Sequence, residues 1–280
     1  MNRGGMYQSG RLMPVLRWAG GKRWLVPLLP ELIGDVQVNN YHEPFLGGAS
    51  VFLGIAPEGK SYLSDLNAEL IETYQSIRDD PDGVAERLGT HKNAAEHYYK
   101  TRHSKPTSPH GRAARFIYLN HTSFNGIYRV NLAGVYNVPY GRRENIIMPT
   151  KQWLSGVSDR LQGVELRVGD FADCLPNVTE GDLVFLDPPY TVAHNNNGFI
   201  KYNQHLFSFE DQHRLSDLID ALKERGAYYI LTNAAHDSVA ELFDKGDRRL
   251  GTTRRNNVGG TSAERGSATE YLFTNLPCHG

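Results

Sequence analysis

Asp187-Pro188-Pro189-Tyr190 directly follows the apolar run Leu183–Leu186. Two consecutive prolines hold the chain extended and remove two amide donors, so the carbonyls there are placed to accept hydrogen bonds from a ligand. An acceptor-only carboxylate beside them suits a group that presents an amine with two N–H bonds. Tyr190 adds a flat face on which a planar base can stack. The plainer alternative is a proline-rich turn with an aspartate cap.

Four other segments carry residue types of the same kind. Glu43-Pro44-Phe45-Leu46-Gly47-Gly48-Ala49-Ser50 reads as a strand running into a Gly-rich turn and a helix, and Gly47 lets a ligand approach the backbone closely. The turn lacks the G-x-G-x-x-G spacing of dinucleotide sites and the G-K-[ST] ending of a phosphate loop, so neither NAD nor ATP is favoured. A purely structural turn is its alternative. Asp65 ends the next strand, about twenty residues on, where an acidic residue takes a ribose hydroxyl pair; its alternative is a helix N-cap. Arg17-Trp18-Ala19-Gly20-Gly21-Lys22 reads as a helix start at which backbone amides and Lys22 bind an anionic group. Gly169-Asp170-Phe171 closes a further strand and suits an adenine ring. On one rim of one sheet, these pieces describe a nucleoside cofactor beside an amine-bearing base.

The elements that would hold them follow a strand–turn–helix rhythm. Strands are expected at Asn39–Phe45, Lys60–Ser64, Val164–Val168, Asp182–Leu186, Tyr228–Leu231, Arg248–Thr252 and Glu270–Thr274. Asp182–Leu186 is nearly continuous in apolar residues, as a strand covered on both faces should be. Asn67–Ile77 has helical spacing. Ser208-Phe209-Glu210-Asp211 is a helix start with a capping box, Leu215, Leu218, Ile219 and Leu222 form its apolar stripe, and Gly226 ends it. Between Pro81 and about Asn120 the pattern is helical and basic, and Tyr128–Val138 alternates around Ala133-Gly134 like a hairpin. The expected architecture is a doubly wound α/β domain interrupted by a basic insert, with ligands outside the carboxyl ends of the strands.

Composition sets the outer bounds. The chain has 280 residues, 40% hydrophobic, enough for a sizeable core, and no run of about 18 apolar residues that could span a membrane. Two cysteines, Cys174 and Cys278, are too few for a disulfide framework or a zinc knuckle, and the N-terminus has no apolar core of a secretory signal. A soluble, cytoplasmic protein without a metal is expected. Its net charge of −1 hides an asymmetry: from Arg87 to Lys151 there are eleven Lys or Arg against two acids, Glu96 and Glu144, leaving +9 there and −10 elsewhere. His91, His97, His103, His110 and His121 fall in the same stretch. Such a segment inside an acidic host suits a phosphate-lined partner, with a merely solvated basic face as the alternative.

The motifs, taken in order, resemble those of the Dam-type DNA N6-adenine methyltransferases: Trp18-Ala19-Gly20-Gly21-Lys22, Glu43-Pro44-Phe45, Ser64-Asp65-Leu66-Asn67, Tyr118-Leu119-Asn120, Phe124-Asn125-Gly126, Arg129, Asn137-Val138-Pro139-Tyr140-Gly141 and Asp187-Pro188-Pro189-Tyr190. The resemblance runs from Arg17 to about Thr274. It implies a Rossmann-like, S-adenosylmethionine-dependent catalytic domain formed by residues 1–75 and 150–280. A mainly helical target-recognition domain with a β-hairpin, residues 76–149, is inserted between them. It further implies methyl transfer to N6 of an everted adenine in double-stranded DNA, with GATC as the expected site from the Asn125-Gly126 and Arg129 pattern. Carried over, Asp187, Pro188 and Tyr190 are the catalytic positions. Trp18, Lys22, Pro44, Phe45, Gly47, Asp65, Asp170, Phe171 and Asp187 are the cofactor positions. Phe124, Asn125, Ile127, Arg129, Pro139, Arg142, Arg254 and Arg255 are the DNA positions. The chain is expected to act as a monomer or paired on DNA.

Two positions depart from the family pattern. Ala49 stands where the cofactor turn usually has glycine, which fits if φ stays negative or a methyl has room. His121-Thr122-Ser123-Phe124 replaces Arg-Tyr-Gly-Tyr of GATC-reading members. The competing readings are N4-cytosine methylation, since that amine presents the same two protons, and a catalytically silent DNA-binding relative; the intact Asp187–Tyr190 segment speaks against the latter. A methyltransferase of small molecules or proteins leaves the basic insert unexplained.

Overall fold

The computed structural model describes residues 7–8, 11–131, 133–190, 207–255 and 267–277, and of 7–8, 253–255 and 267–268 only the backbone. Most of the polar N-terminal tail, His194–Gly198, Asn256-Asn257 and Cys278 lie outside the described residues.

Strands β1 (Tyr7–Gln8) and β2 (Arg11–Leu12) form a short antiparallel pair. The main sheet contains β3 (Tyr41–Glu43), β4 (Ser61–Asp65), β5 (Glu165–Val168), β6 (Leu183–Leu186), β7 (Tyr228–Ala234), β8 (Arg248–Arg255) and β9 (Ser267–Thr274). Its strand order is β5-β4-β3-β6-β7-β9-β8. β3 pairs in parallel with β4 and β6, and β6 with β7, whereas β9 runs antiparallel to β7 and β8. Chain order reverses between β3 and β6, and that switch point is where doubly wound sheets open a ligand crevice at the carboxyl ends of their strands. Val184, Phe185 and Leu186 are at most 1% exposed, so β6 is covered on both faces as its unbroken apolar run requires.

The chain forms two compact units: Met1–Pro30, Leu46–Ala56 and Asp65–Val168 make the first, and Glu31–Phe45, Pro57–Ser64 and Gly169–Gly280 the second. In the first, helices Ala68–Asp79, Pro81–Gly89, Pro109–Thr122 and Lys151–Leu161 pack together around Ile71, Tyr74, Val84, Ala114, Ile117 and Val157. Each begins where a side chain satisfies an orphan amide: Asn67 accepts from Leu70 N, Asp80 from Gly83 N, Ser108 from Gly111 N and Thr150 from Trp153 N. Pro81 and Pro109 follow their caps at the first helical position, where no N–H is needed. Lys151–Leu161, with Trp153, Leu154, Val157 and Leu161 on one face, is a helix in addition to those expected from the sequence.

In the second unit, helix Phe209–Glu224 starts with the Ser208–Asp211 capping box and buries Leu215, Leu218, Ile219 and Leu222 against Val184, Leu186, Tyr229 and Leu231. Gly226, at φ +73°, ends it. Helix Asp237–Phe243 is an addition; its seven residues are too short for a periodic signal.

Residues 128–138 of the first unit, Leu132 lying outside the described residues, close as a narrow hairpin with isolated pairing rather than full strands. Val130 bridges Tyr136, Asn137 N donates to Arg129 O, and the Asn131 side chain accepts from Ala133 N and Val135 N at the tip.

Candidate active site

In the second unit, the carboxyl ends of β3 and β6 deliver Glu43-Pro44-Phe45 and Asp187-Pro188-Pro189-Tyr190 side by side, because Tyr41 pairs with Leu183 and His42 with Val184. Asp187 is half-buried, and its Oδ1 accepts a hydrogen bond from Thr232 Oγ1 on the neighbouring β7 at 2.8 Å. Leu186 pairs with Leu231, so Thr232 stands one residue beyond, level with Asp187. This bond orients the carboxylate from behind. Pro188 is buried, and Tyr190 donates its hydroxyl to Glu270 Oε2 at 3.0 Å. Glu270 sits on β9 opposite Ala234 and is 2% exposed. Thr232 and Glu270 therefore belong to the site, although their segments carry no motif that announces it.

Phe45 stacks on Phe171 at 5.3 Å, and both meet Phe207 at 5.7 Å. Phe171 and Phe207 are buried in the core of the second unit, and of the three rings only Phe45 is partly exposed. Asp170 caps the turn Phe171–Asn177 through Ala172 N and pairs with Arg214 at 2.6 Å, while the Arg214 guanidinium lies over the Phe171 ring.

The first unit holds the glycine-rich turn. Asp65 closes β4 and accepts from Gly47 N and Asn67 N, both at 2.9 Å, so its carboxylate ties the turn together. Burial pushes the Asp65 carboxyl above its usual range, and the two backbone amides act in the opposite direction. Gly47, at φ +46°, has the Trp18 ring so close that an added Cβ would stand 2.6 Å from it. Glycine is thus required here for the seating of Trp18 as well as for backbone conformation. Trp18 also stacks with Tyr128 at 5.7 Å, which links the turn to the base of the hairpin.

Ala49 lies at φ 53° and is fully buried. Of the two ways an alanine fits, the negative φ is not adopted; the methyl has room instead, and the backbone carries the strain of the left-handed region. Lys22 also departs from expectation. Residues 21–28 form no helix, the first one being Leu29–Ile33, so no helix N-terminus meets an anion at Lys22. Short hydrogen bonds govern this loop instead: Lys22 is 1% exposed, its Nζ donates to Gly20 O at 2.6 Å, and its backbone N donates to Ser50 Oγ.

The expected DNA positions of the first unit lie on one run. Phe124, 48% exposed, opens the turn Phe124–Gly126, in which Asn125 has φ 56° and Gly126 φ +66°. Phe124 N donates to Pro139 O, and Gly141 N to Thr122 O, so the hairpin's return is stitched to the end of helix Pro109–Thr122. Ile127 is half-buried, whereas Pro139, Arg129 and Arg142 are exposed, the last at φ 51°. Arg129 Nε donates to Asn137 Oδ1 at 2.8 Å, holding the guanidinium. Arg143 instead donates to the carbonyls of His121 and Ser123, completing a helix end. Asn120 pins this region: it accepts from Arg17 N and donates to Arg17 O, each at 2.7 Å. Arg254 and Arg255 have their backbone in β8, and their side chains lie outside the described residues.

The histidines of the basic stretch contribute less charge than their number implies. Burial and His97 push the His91 imidazole down to about 4, and burial lowers His121 too, so both are neutral at pH 7.

The sheet, with its reversal between β3 and β6, has the doubly wound α/β arrangement, a fold used by nucleotide-cofactor enzymes. The family model of the D12 class N6 adenine-specific DNA methyltransferases matches residues 18–257, and the chain belongs to that family. Among its relatives, the Type II methyltransferase M1.LlaDCHI of Lactococcus lactis subsp. cremoris is 35% identical over 94% of this chain and 95% of its own. The DNA adenine methylase of Escherichia coli K12 is 31% identical, over 80% of this chain and 81% of its own. The DNA N-6-adenine-methyltransferase of Escherichia phage P1 is 32% identical over 92% of this chain, which covers 35% of that protein. The chain is thus an enzyme that transfers a methyl group from S-adenosylmethionine to N6 of adenine in DNA, rather than to N4 of cytosine. Among the described residues, no His, Cys, Asp and Glu cluster suits a metal, and no helix is long and apolar enough to cross a membrane.

Proposed function

We propose that the enzyme methylates the adenine of GATC in duplex DNA, with residues 76–149 reading the site and residues 1–75 and 150–280 performing the transfer. The observation that carries the catalytic part is the seating of Asp187 at the switch point, its carboxylate oriented by Thr232 and followed by Pro188. An adenine inside a duplex is out of reach, so it everts at a cost of about a few kcal/mol. Tyr190 stacks on the everted ring. The Asp187 carboxylate and the Pro188 carbonyl accept the two N–H bonds of the exocyclic amine, which draws the nitrogen lone pair out of conjugation. Asp187 then holds the proton that N6 must shed. Bound S-adenosylmethionine supplies a methyl on a sulfonium, already activated by its leaving group. What the protein contributes is positioning and preorganised acceptors.

The residues present fit that cofactor. In the first unit Asp65 is a half-buried carboxylate for the ribose hydroxyls and Gly47 with Trp18 forms the close-approach turn; in the second, Phe45 is a half-buried ring for the adenine, with Phe171 packed behind it. Lys22, Pro44 and Asp170 complete the set as residues of the surrounding loops.

Arg129 reads guanine through O6 and N7. Asn137 holds its Nε, so the terminal nitrogens present the fork that a guanine edge needs. Phe124 wedges beside the everted base, Asn125 lies next to it, and Ile127 and Pro139 touch thymine methyls. Arg142, Arg254 and Arg255 hold phosphates. The enzyme works in the cytoplasm, as a monomer or as paired copies on DNA. The Type II name of the Lactococcus relative favours a place beside a restriction enzyme. Mapping methylated adenines after expression in an unmethylated host tests the specificity: methylation confined to GATC is expected, and any other consensus overturns the site assignment while leaving the chemistry intact.

A further inference from the structure

We infer that Glu270 is a positioning residue for catalysis, one that locks the ring of Tyr190 in place before the target base arrives. The inference rests on the proposed role of Tyr190 as the stacking platform. Glu270 stands on β9, paired on one side with Ala234 at the end of β7 and on the other with Thr252 of β8, and is 2% exposed. A carboxylate so deep in a sheet is costly unless it accepts hydrogen bonds. The Tyr190 hydroxyl donates to its Oε2 at 3.0 Å.

The geometry separates the two ends of the tyrosine. Its backbone leaves Pro189, whose ring restricts the chain, and its hydroxyl is fastened to a buried strand of the sheet. A side chain with two rotatable bonds held at both ends presents its face in one orientation. An everted base meeting an unfastened ring would have to immobilise it on arrival, a loss worth up to about tenfold in rate. The buried carboxylate moves that ordering into folding.

The test uses the full-length protein with Glu270→Ala, Glu270→Gln, Tyr190→Phe and the double variant Tyr190→Phe/Glu270→Ala. Single-turnover methylation of a duplex is read beside cofactor KM, and 2-aminopurine at the target position reports eversion. Glu270→Ala and Tyr190→Phe should each lose about tenfold in kcat with cofactor KM unchanged, and the double variant should be no worse than either. Glu270→Gln keeps an acceptor oxygen and should return to within about threefold of the native rate. A single 3-fluorotyrosine placed at position 190 should give one sharp fluorine resonance in the native protein and a broadened or split one in Glu270→Ala. Native kcat in Tyr190→Phe, or additive losses in the double variant, would overturn the inference even if Glu270→Ala alone failed to fold. Should the native protein transfer no methyl to adenine, the functional reading fails; the fluorine resonance still decides whether Glu270 holds the ring.

Discussion

The segment proposed for catalysis and the turn proposed to read DNA are built on opposite plans. Asp187 and Tyr190 leave the end of a fully buried strand and are each fastened to a further strand, through Thr232 and Glu270, both at most 2% exposed. Phe124, Asn125, Arg129 and Arg142 lie on exposed backbone with isolated bridges, and Asn125 and Arg142 have positive φ. Methyl transfer tolerates little misplacement of its acceptors, and the residues proposed for that role are rooted in the sheet. Reading a duplex, the role proposed for these residues, needs side chains free to settle against a partner, and these are exposed while their backbone is stitched to the end of helix Pro109–Thr122. Within the first unit, Trp18 packs closely between the Gly47 turn and Tyr128.

Breaking the catalytic side should have the largest effect. Asp187→Ala removes the carboxylate and should lower single-turnover methylation by at least about 10²–10³-fold, with DNA affinity in a binding titration within a few-fold of native. Near-normal turnover in this variant would remove the mechanism. On the reading side, Arg129→Ala should relax discrimination at one guanine by about 1–3 kcal/mol in competition binding, and a loss spread evenly over all sequences would instead make Arg129 a phosphate contact. Arg142→Ala should show the opposite pattern, a uniform weakening and a salt slope smaller by about one.

His91 sharpens the contrast in stability. It stacks on Tyr118 and lies 3.0 Å from His97. Its folded pKa of about 4 is below the 6.5 of an ordinary histidine, so between these values the unfolded chain binds the extra proton. Stability should therefore be full above pH 6.5 and fall as the pH drops toward about 4. His91→Gln should flatten that part of a denaturation-midpoint profile. The smallest effect belongs to the glycine-rich turn at Ala49. Ala49→Gly relieves left-handed strain but removes a buried methyl, terms of about 1 kcal/mol each and opposite in sign. Chemical denaturation should place the variant within about 1 kcal/mol of native, and a larger loss would mean that the methyl packs better than the backbone is strained.

Local patterns were legible wherever one residue type in one order had a single physical meaning. The unbroken apolar run of β6, the Ser208–Asp211 capping box and Gly226 at the helix end all appear in the fold as read. The helix start expected at Trp18–Lys22 is absent, because glycines and a lysine look alike in a capped helix and in a loop closed by Lys22 Nζ on Gly20 O. Asp65 closes a strand and accepts from Gly47 N and Asn67 N, and the helix cap, its alternative reading, falls to Asn67.

Chain order alone determined that a carboxylate and two prolines follow a buried strand, that a glycine turn and an acidic residue end two others, and that positive charge is concentrated between Arg87 and Lys151. Those are properties of neighbours along the backbone, fixed by local sterics and periodicity. Only tertiary structure decided that Thr232 and Glu270 stand behind Asp187 and Tyr190, that Trp18 demands a glycine at position 47, and that Asn120 clasps Arg17. Each of these pairs is separated by tens of residues and made by strand register and side-chain packing, which no short window of sequence encodes.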